Sequence, residues 1–248
     1  MKLVSVKRHC IFEYVRPSRE VVDDIVVNIR QDPEFRRKYY AFTCLRYHSD
    51  RARLFCGTTN FGNDLLQAFD PETGSFESMK YADFGEKYEI KIHRALELGE
   101  DGMIYGATSA LHDVDERAEA PGGKVFRFDP NSRQYECLCI PQPHDYIQTM
   151  SLDPKRQMIY GMSYPVFSFF AYSVKRREVV YQQFMRSITH IGAVDDDGGY
   201  WGTWGNGHRL FRYDPDSNRV RFFRRGLPTG CDSLMYANLD VVYTRPLL

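Results

Sequence analysis

The chain has 248 residues, 43% of them apolar and 27% charged, with 33 Lys and Arg against 33 Asp and Glu. That length supports one large domain with a substantial core, and a formal charge of zero offers no field to draw in nucleic acid or an anionic membrane surface. No apolar run reaches the length of a bilayer crossing, and the early charges Lys2, Lys7 and Arg8 leave no room for a signal-peptide core, so a cytoplasmic protein is expected.

Residues 1–40 form an amino-terminal segment distinct from the rest of the chain. Within it a strand is expected at His9 to Val15 and a helix or strand at Val21 to Ile29, with Asp32-Pro33 as a break. Residues 41–248 are organised by a repeat. One part of it, apolar-apolar-x-aromatic-Asp-Pro-x-Ser/Thr, occurs at Leu65 to Thr73, Val125 to Ser132 and Leu210 to Ser217, and in degenerate form at Phe169 to Ser173. Alternation running into Asp-Pro predicts a strand entering a hairpin, where Pro sets φ and Asp accepts turn hydrogen bonds. The residues after each turn alternate again, as in Arg219-Val220-Arg221-Phe222, and predict the return strand.

A second signal precedes each copy. Glycines at Gly57, Gly106, Gly161 and Gly202 follow apolar or aromatic residues, at intervals of 49, 55 and 41. A polar turn lies before each of them, at Asp50-Arg51, Asp101-Gly102, Asp153-Pro154 and Asp197-Gly198. The unit is therefore strand, turn, strand ending in Gly, loop, strand, Asp-Pro turn, strand, and Phe69, Phe128, Tyr172 and Tyr213 should occupy equivalent third-strand positions. Four strands per unit at this period predicts an all-β fold of propeller blades. The pattern resembles propeller repeats of the lactonase-like, quinoprotein-like and polysaccharide-lyase kinds, without matching one family's complete motif. Four clear blades result, with the segment from Cys231 onward starting a fifth and residues 1–40 available to complete a blade. An incomplete ring would expose strand edges, which an oligomer would cover.

In such a fold the first strand of each blade begins at one ring face, and the loop between the second and third strands returns to it. The residues placed there are Cys44, His93, Arg94, Gln148, Thr149, Thr189 and His190 from first-strand starts, and Asn60, Asn63, Tyr164, Trp204, Asn206 and His208 from loops. The spacing from the blade glycine to the turn residue is 13, 23, 12 and 12 in the four blades, so blade two carries an insertion, Ser109 to Gly123.

The resemblance to propeller lyases implies an enzyme acting on a uronate-containing oligosaccharide by β-elimination. On that reading Arg94 or Arg186 neutralises the carboxylate, His93 or His190 removes the C5 proton and Tyr164 protonates the leaving oxygen. Trp204, His208, His144 and Arg186 contribute to substrate binding. The competing readings are a non-catalytic scaffold for a protein, peptide or glycan, and a metal-dependent lactonase-like hydrolase. Fold alone does not separate them. The sequence names no cofactor and no metal-ligand spacing.

Three minor features take plain structural readings. Cys137 and Cys139, one residue apart, are expected as small core residues on one strand face, among six cysteines kept as thiols. His48 is expected exposed on a turn. The run Asp195-Asp196-Asp197-Gly198 is expected as a solvated turn rather than a calcium loop.

Overall fold

The computed structural model describes residues 32–62, 64–110, 118–187, 189, 191–205, 208–226, 231–237 and 241–246, the last two as backbone. The chain divides into two compact units, Met1–Lys38 and Tyr39–Leu248. In the first, helix α1 (Pro33–Lys38) starts where Asp32 Oδ1 accepts the Glu34 backbone N–H at 2.8 Å. Pro33 takes the first helical position, where no N–H is needed. The strand expected at His9 to Val15 and the element expected at Val21 to Ile29 lie outside the described residues.

The second unit is built from antiparallel sheets, each formed by strands consecutive in the chain. Blade one comprises β1 (Tyr40–His48), β2 (Arg53–Asn60), β3 (Leu66–Asp70) and β4 (Ser75–Ser78). Blade two has β5 (Leu96–Leu98), β6 (Ile104–Ala107), β7 (Val125–Asp129) and β8 (Gln134–Cys139). Blade three has β9 (Tyr146–Asp153), β10 (Met158–Tyr164), β11 (Ser168–Ser173) and β12 (Glu178–Phe184), and blade four β13 (Ala193–Val194), β14 (Tyr200–Trp204), β15 (Arg209–Asp214) and β16 (Arg219–Gly226). A two-stranded sheet, β17 (Cys231–Ala237) and β18 (Val241–Pro246), begins a fifth. The first strands β1, β5, β9, β13 and β17 are neighbours in that order, which is the radial arrangement of a propeller.

The repeat residues hold one register throughout. Phe69 pairs with Leu54, Phe128 with Ile104, Tyr172 with Ile159 and Tyr213 with Tyr200. The Asp of each Asp-Pro turn closes it: Asp70, Asp129 and Asp214 each accept the N–H two residues on, at 2.9, 2.7 and 3.1 Å. The residue ending the turn sits at positive φ in all four blades, as Gly74, Arg133, Arg177 and Asn218. The blade glycines are needed for a different reason. A Cβ on Gly106, Gly161 or Gly202 would lie 2.3, 2.4 or 2.6 Å from the ring of Phe126, Phe170 or Phe211, its partner across the strand pair. On Gly57 it would meet Cys44 Sγ at 2.5 Å. Each glycine lets a third-strand side chain or a first-strand thiol lie flat against the second strand.

The core lies between blades. Phe55 of blade one packs edge-on against Phe128 of blade two, and Tyr160 of blade three against Tyr213 of blade four. Polar clamps accompany the packing. His48 is buried and its Nε2 is 3.1 Å from the Gly102 carbonyl oxygen, joining blades one and two. The expectation of an exposed turn His is thereby corrected: the turn lies against the next blade. At the junction of blades three and four, Tyr160 Oη donates to the carbonyl of Gly198, the equivalent turn glycine, at 2.9 Å.

The acidic run from Asp195 to Gly198 is the turn between β13 and β14. Asp195 there accepts from Gly199 N, Trp201 Nε1 and Arg212 Nε at 2.7, 2.7 and 2.8 Å. The described cysteines are free thiols and Cys139 packs against the core as expected, but Cys137 does not share its face. A bulge opposite Val125 and Phe126 breaks the alternation of β8, leaving Cys137 exposed and Cys139 half-buried.

Candidate functional site

Two groups of side chains stand out, one along the first strands and one near the end of the ring where those strands begin. The first lines a central cavity of about 460 Å³, walled by Thr43 to Arg46 of β1, by Arg94, Leu96 and Glu97, by Thr149 to Leu152 of β9 and by Ile191 to Val194. Hydrogen bonds between successive blades form the wall. Met150 N donates to the Arg94 carbonyl at 3.1 Å, and Thr43 Oγ1 donates to the Ile92 carbonyl. Arg46 grips Glu97 with Nε at 2.8 Å and Nη2 at 2.7 Å, a bidentate pair across blades one and two. Burial drives the Glu97 carboxyl up despite Arg46.

Of the pair His93 and Arg94, Arg94 lines this cavity, at a φ of 52°, while His93 is half-buried just outside it. Arg94 therefore brings its chain to the channel by a left-handed backbone step, and strict alternation does not carry through this segment.

The second group surrounds the loop between β14 and β15. Gly205 N donates to the Met185 carbonyl at 2.9 Å and His208 N to the Gly205 carbonyl at 3.1 Å. These bonds tie the segment after β12, which leads into Ser187, to the loop that runs from Trp204 to His208. Among the described residues, no hydrogen-bond partner is found for a buried polar atom of each of these three: Ser187 Oγ, Trp204 Nε1 and His208 Nδ1. The Trp204 ring meets Phe222 edge-on at 4.8 Å, and the Arg209 guanidinium lies 5.7 Å from its centroid. Arg186, exposed and at a φ of 64°, precedes Ser187. Buried donors and acceptors are rarely left unpaired, and each costs about 1–3 kcal/mol.

Other expected site residues lie at the same end. Tyr164 closes β10, with its ring 5.3 Å from Tyr146 and 5.4 Å from Phe167. His144 is exposed and its Nδ1 is 2.8 Å from the Ala120 carbonyl oxygen, at the root of the insertion. Both roots sit among first-strand starts: Ser109 exchanges backbone bonds with Lys91, and Gly123 N donates to Asp145 O at 2.6 Å. Residues 111–117 of the insertion, and His190, Asn63 and Asn206, lie outside the described residues. The structure thus groups Trp204 and His208, and places Arg94, Tyr164 and His144 at separate points of the same end.

Sequence reasoning missed Ser187, whose neighbours carry no motif, and the Arg46–Glu97 pair, whose partners are 51 residues apart. A cross-blade register is the only signal that would have found the latter. Among the described residues, no group of three or more His, Cys, Asp or Glu is arranged to hold a metal ion, and no helix is long and apolar enough to cross a membrane.

No protein-family model and no curated protein sequence matches the chain. Among solved structures it is similar to the extracellular domain of the putative one-component system BT4673 from B. thetaiotaomicron, with 13% identity and a TM-score of 0.56 over 82% of this chain. The match covers 25% of that protein, so this chain spans about a quarter of its length. It is also similar to virginiamycin B lyase from Staphylococcus aureus, with 12% identity and a TM-score of 0.57 over 83% of this chain and 66% of that one. A third similar structure, that of the RRP9 WD40 repeats, gives 12% identity and a TM-score of 0.50 over 74% and 51%. At such identities the similarity speaks to architecture alone, and with the register of its sheets it establishes that this chain folds as a β-propeller of four-stranded blades with a partial fifth.

Proposed function

We propose that this end of the ring binds an acidic, hydroxyl-bearing ligand, of which a uronate-containing oligosaccharide is the class that fits, and that β-elimination is the reaction it serves. The observation that carries the reading is that Ser187, Trp204 and His208 each hold a buried polar atom with no hydrogen-bond partner among the described residues. Sugar hydroxyls and a carboxylate would supply the missing partners, and the indole face is an apolar platform for a pyranose ring. Arg186 beside Ser187, Arg209 over the Trp204 ring and Arg94 in the central cavity favour an anionic group. In the elimination, Arg94 or Arg186 would neutralise the carboxylate as the enolate forms; the base and acid roles of His93 and Tyr164 would require a ligand long enough to bridge their separate positions. The similarity to a lyase propeller agrees with this reading but shares it with propellers of other kinds.

Calorimetric titration with hexuronate oligosaccharides, alongside neutral oligosaccharides of equal length, tests the binding step. Saturable heat with the acidic series alone is expected, together with ultraviolet absorbance from a new unsaturated uronate. Binding without product would leave a glycan-recognising scaffold. Absence of binding to either series would remove the carbohydrate reading altogether.

A further inference from the structure

Blade one carries an apolar row across all four strands in a single register, Tyr47, Leu54, Phe69 and Phe76. The bulge between Phe42 and Cys44 keeps Tyr40, Phe42 and Leu45 on the same side. The equivalent rows are Leu98–Ile104–Phe128–Tyr135 in blade two, Leu152–Ile159–Tyr172–Val179 in blade three and Val194–Tyr200–Tyr213–Val220 in blade four. In those blades the row packs onto the preceding blade, and Phe128, Tyr172 and Tyr213 are 0% exposed. In blade one Tyr47 is 54% exposed, Phe76 53%, Phe42 49% and Leu45 49%.

The blade-one row also differs in chemistry. Each of the other blades sends a hydrogen bond to a carbonyl on or beside the fourth strand of the blade before it: Tyr135 Oη to Met79 at 2.9 Å, Tyr172 Oη to Leu138 at 3.2 Å and Asn218 Nδ2 to Val180 at 3.0 Å. The corresponding positions in blade one are Phe76, Phe69 and Gly74, none with a side-chain donor. Arg133 and Arg177 pair with Glu77 and Glu136 of the preceding blade from the turn position that Gly74 holds in blade one. The charged residues Arg46 and Glu77 of blade one engage blade two instead. At these three positions blade one therefore lacks the donors and charges with which the other blades hold the blade before them. Its rings form a slab, with Phe42 stacked on Phe76 at 5.2 Å and 24°.

We propose that this face is a self-association surface, occupied by the same face of a second copy of the chain about a two-fold axis. An uncharged slab is complementary to itself, and a two-fold contact sets no charge against an apolar ring while leaving the Tyr40 and Tyr47 hydroxyls to meet each other or water at its margin. Four strands about 4.8 Å apart and some five residues long present roughly 300 Å² per copy, within the range of the largest apolar patch on a typical monomer, which is often functional.

Sedimentation velocity of the full chain at micromolar concentration tests this. The unaltered protein is expected as a dimer, and F42D with F76D as a monomer of unchanged melting temperature. Each lost ring should weaken association by on the order of thirtyfold. Y47K, at the most exposed position, serves as a milder variant should the double substitution fail to fold. A monomeric unaltered protein would overturn the proposal, as would a dimer that survives both variants. Loss of melting temperature in Y47K would overturn it as well, since the face would then be covered by the chain itself.

Discussion

Replacing Gly161 by Ala places a methyl group where the second strand of blade three meets the Phe170 ring. The added Cβ would lie 2.4 Å from Phe170 Cζ, 2.6 Å from Cε1 and 3.0 Å from the Thr149 carbonyl oxygen. Ordinary contact begins at 3.4 Å, so the ring would have to retreat by about 1 Å. It has nowhere to go, because Phe170 is 0% exposed and belongs to the core shared by the first three blades. Overpacking of this kind costs about 1–3 kcal/mol, and the rigid ring and backbone oxygen place this site at the upper end. For a unit of this size about 3 kcal/mol corresponds to a fall in melting temperature of roughly 6–12 °C. Differential scanning calorimetry of G161A, of F170L and of the double variant measures it. The smaller Leu should give back part of the loss, so the double variant is expected to be more stable than the sum of the single changes. A G161A protein melting within a degree or two of the unaltered chain would refute the close-approach account of the blade glycines.

Further outcomes follow from the turns, clamps and thiols. Gly74 is at a φ of 71° with nothing near its Cβ direction, and Asn218 holds the same position in blade four, so G74N should be nearly neutral while G74V costs about 1 kcal/mol or more through left-handed strain, read by chemical denaturation. Tyr160→Phe removes the bond to Gly198 O and should destabilise by about 1–2 kcal/mol, loosening the junction of blades three and four without touching the channel; unchanged stability would show the clamp to be idle. Burial pushes the Asp195 carboxyl up, but hydrogen bonds from Arg212, Trp201 and Gly199 outweigh it and hold it below the usual range. Its stabilising contribution is thus full above the unfolded value of about 3.9 and is lost as pH falls through the lower folded value, so melting curves of Asp195→Asn should depend less on pH in that acid window than those of the unaltered chain. Burial drives the Cys56 thiol up to about 11 and Cys139 up to about 12; among the described thiols, the exposed Cys137 should be the first alkylated by a maleimide in peptide mapping.

The periodic residues determined the blades. Alternation into Asp-Pro, the glycine one strand earlier and the aromatic at a fixed offset are local, so hairpin pairing and third-strand register could be read without coordinates, down to the equivalence of Phe69, Phe128, Tyr172 and Tyr213. The long insertion was legible as well, since it shows as a change of spacing. What only the tertiary structure decided is everything that depends on which blade lies against which. His48 was read as a turn residue and is a buried clamp, because its environment is supplied by Gly102, 54 residues away. Cys137 turned outward because a bulge shifts β8 by one residue, and a one-residue slip exchanges the two faces of a strand. Arg94 rather than His93 reached the central cavity through a single left-handed backbone step. The segment leading into Ser187 meets the loop after Trp204 because Gly205 N bonds to Met185 O, 20 residues back in the chain. Strand pattern is a property of neighbours in sequence, whereas a site in a propeller is assembled from residues about one blade apart, and their convergence is fixed by ring geometry that no local pattern encodes.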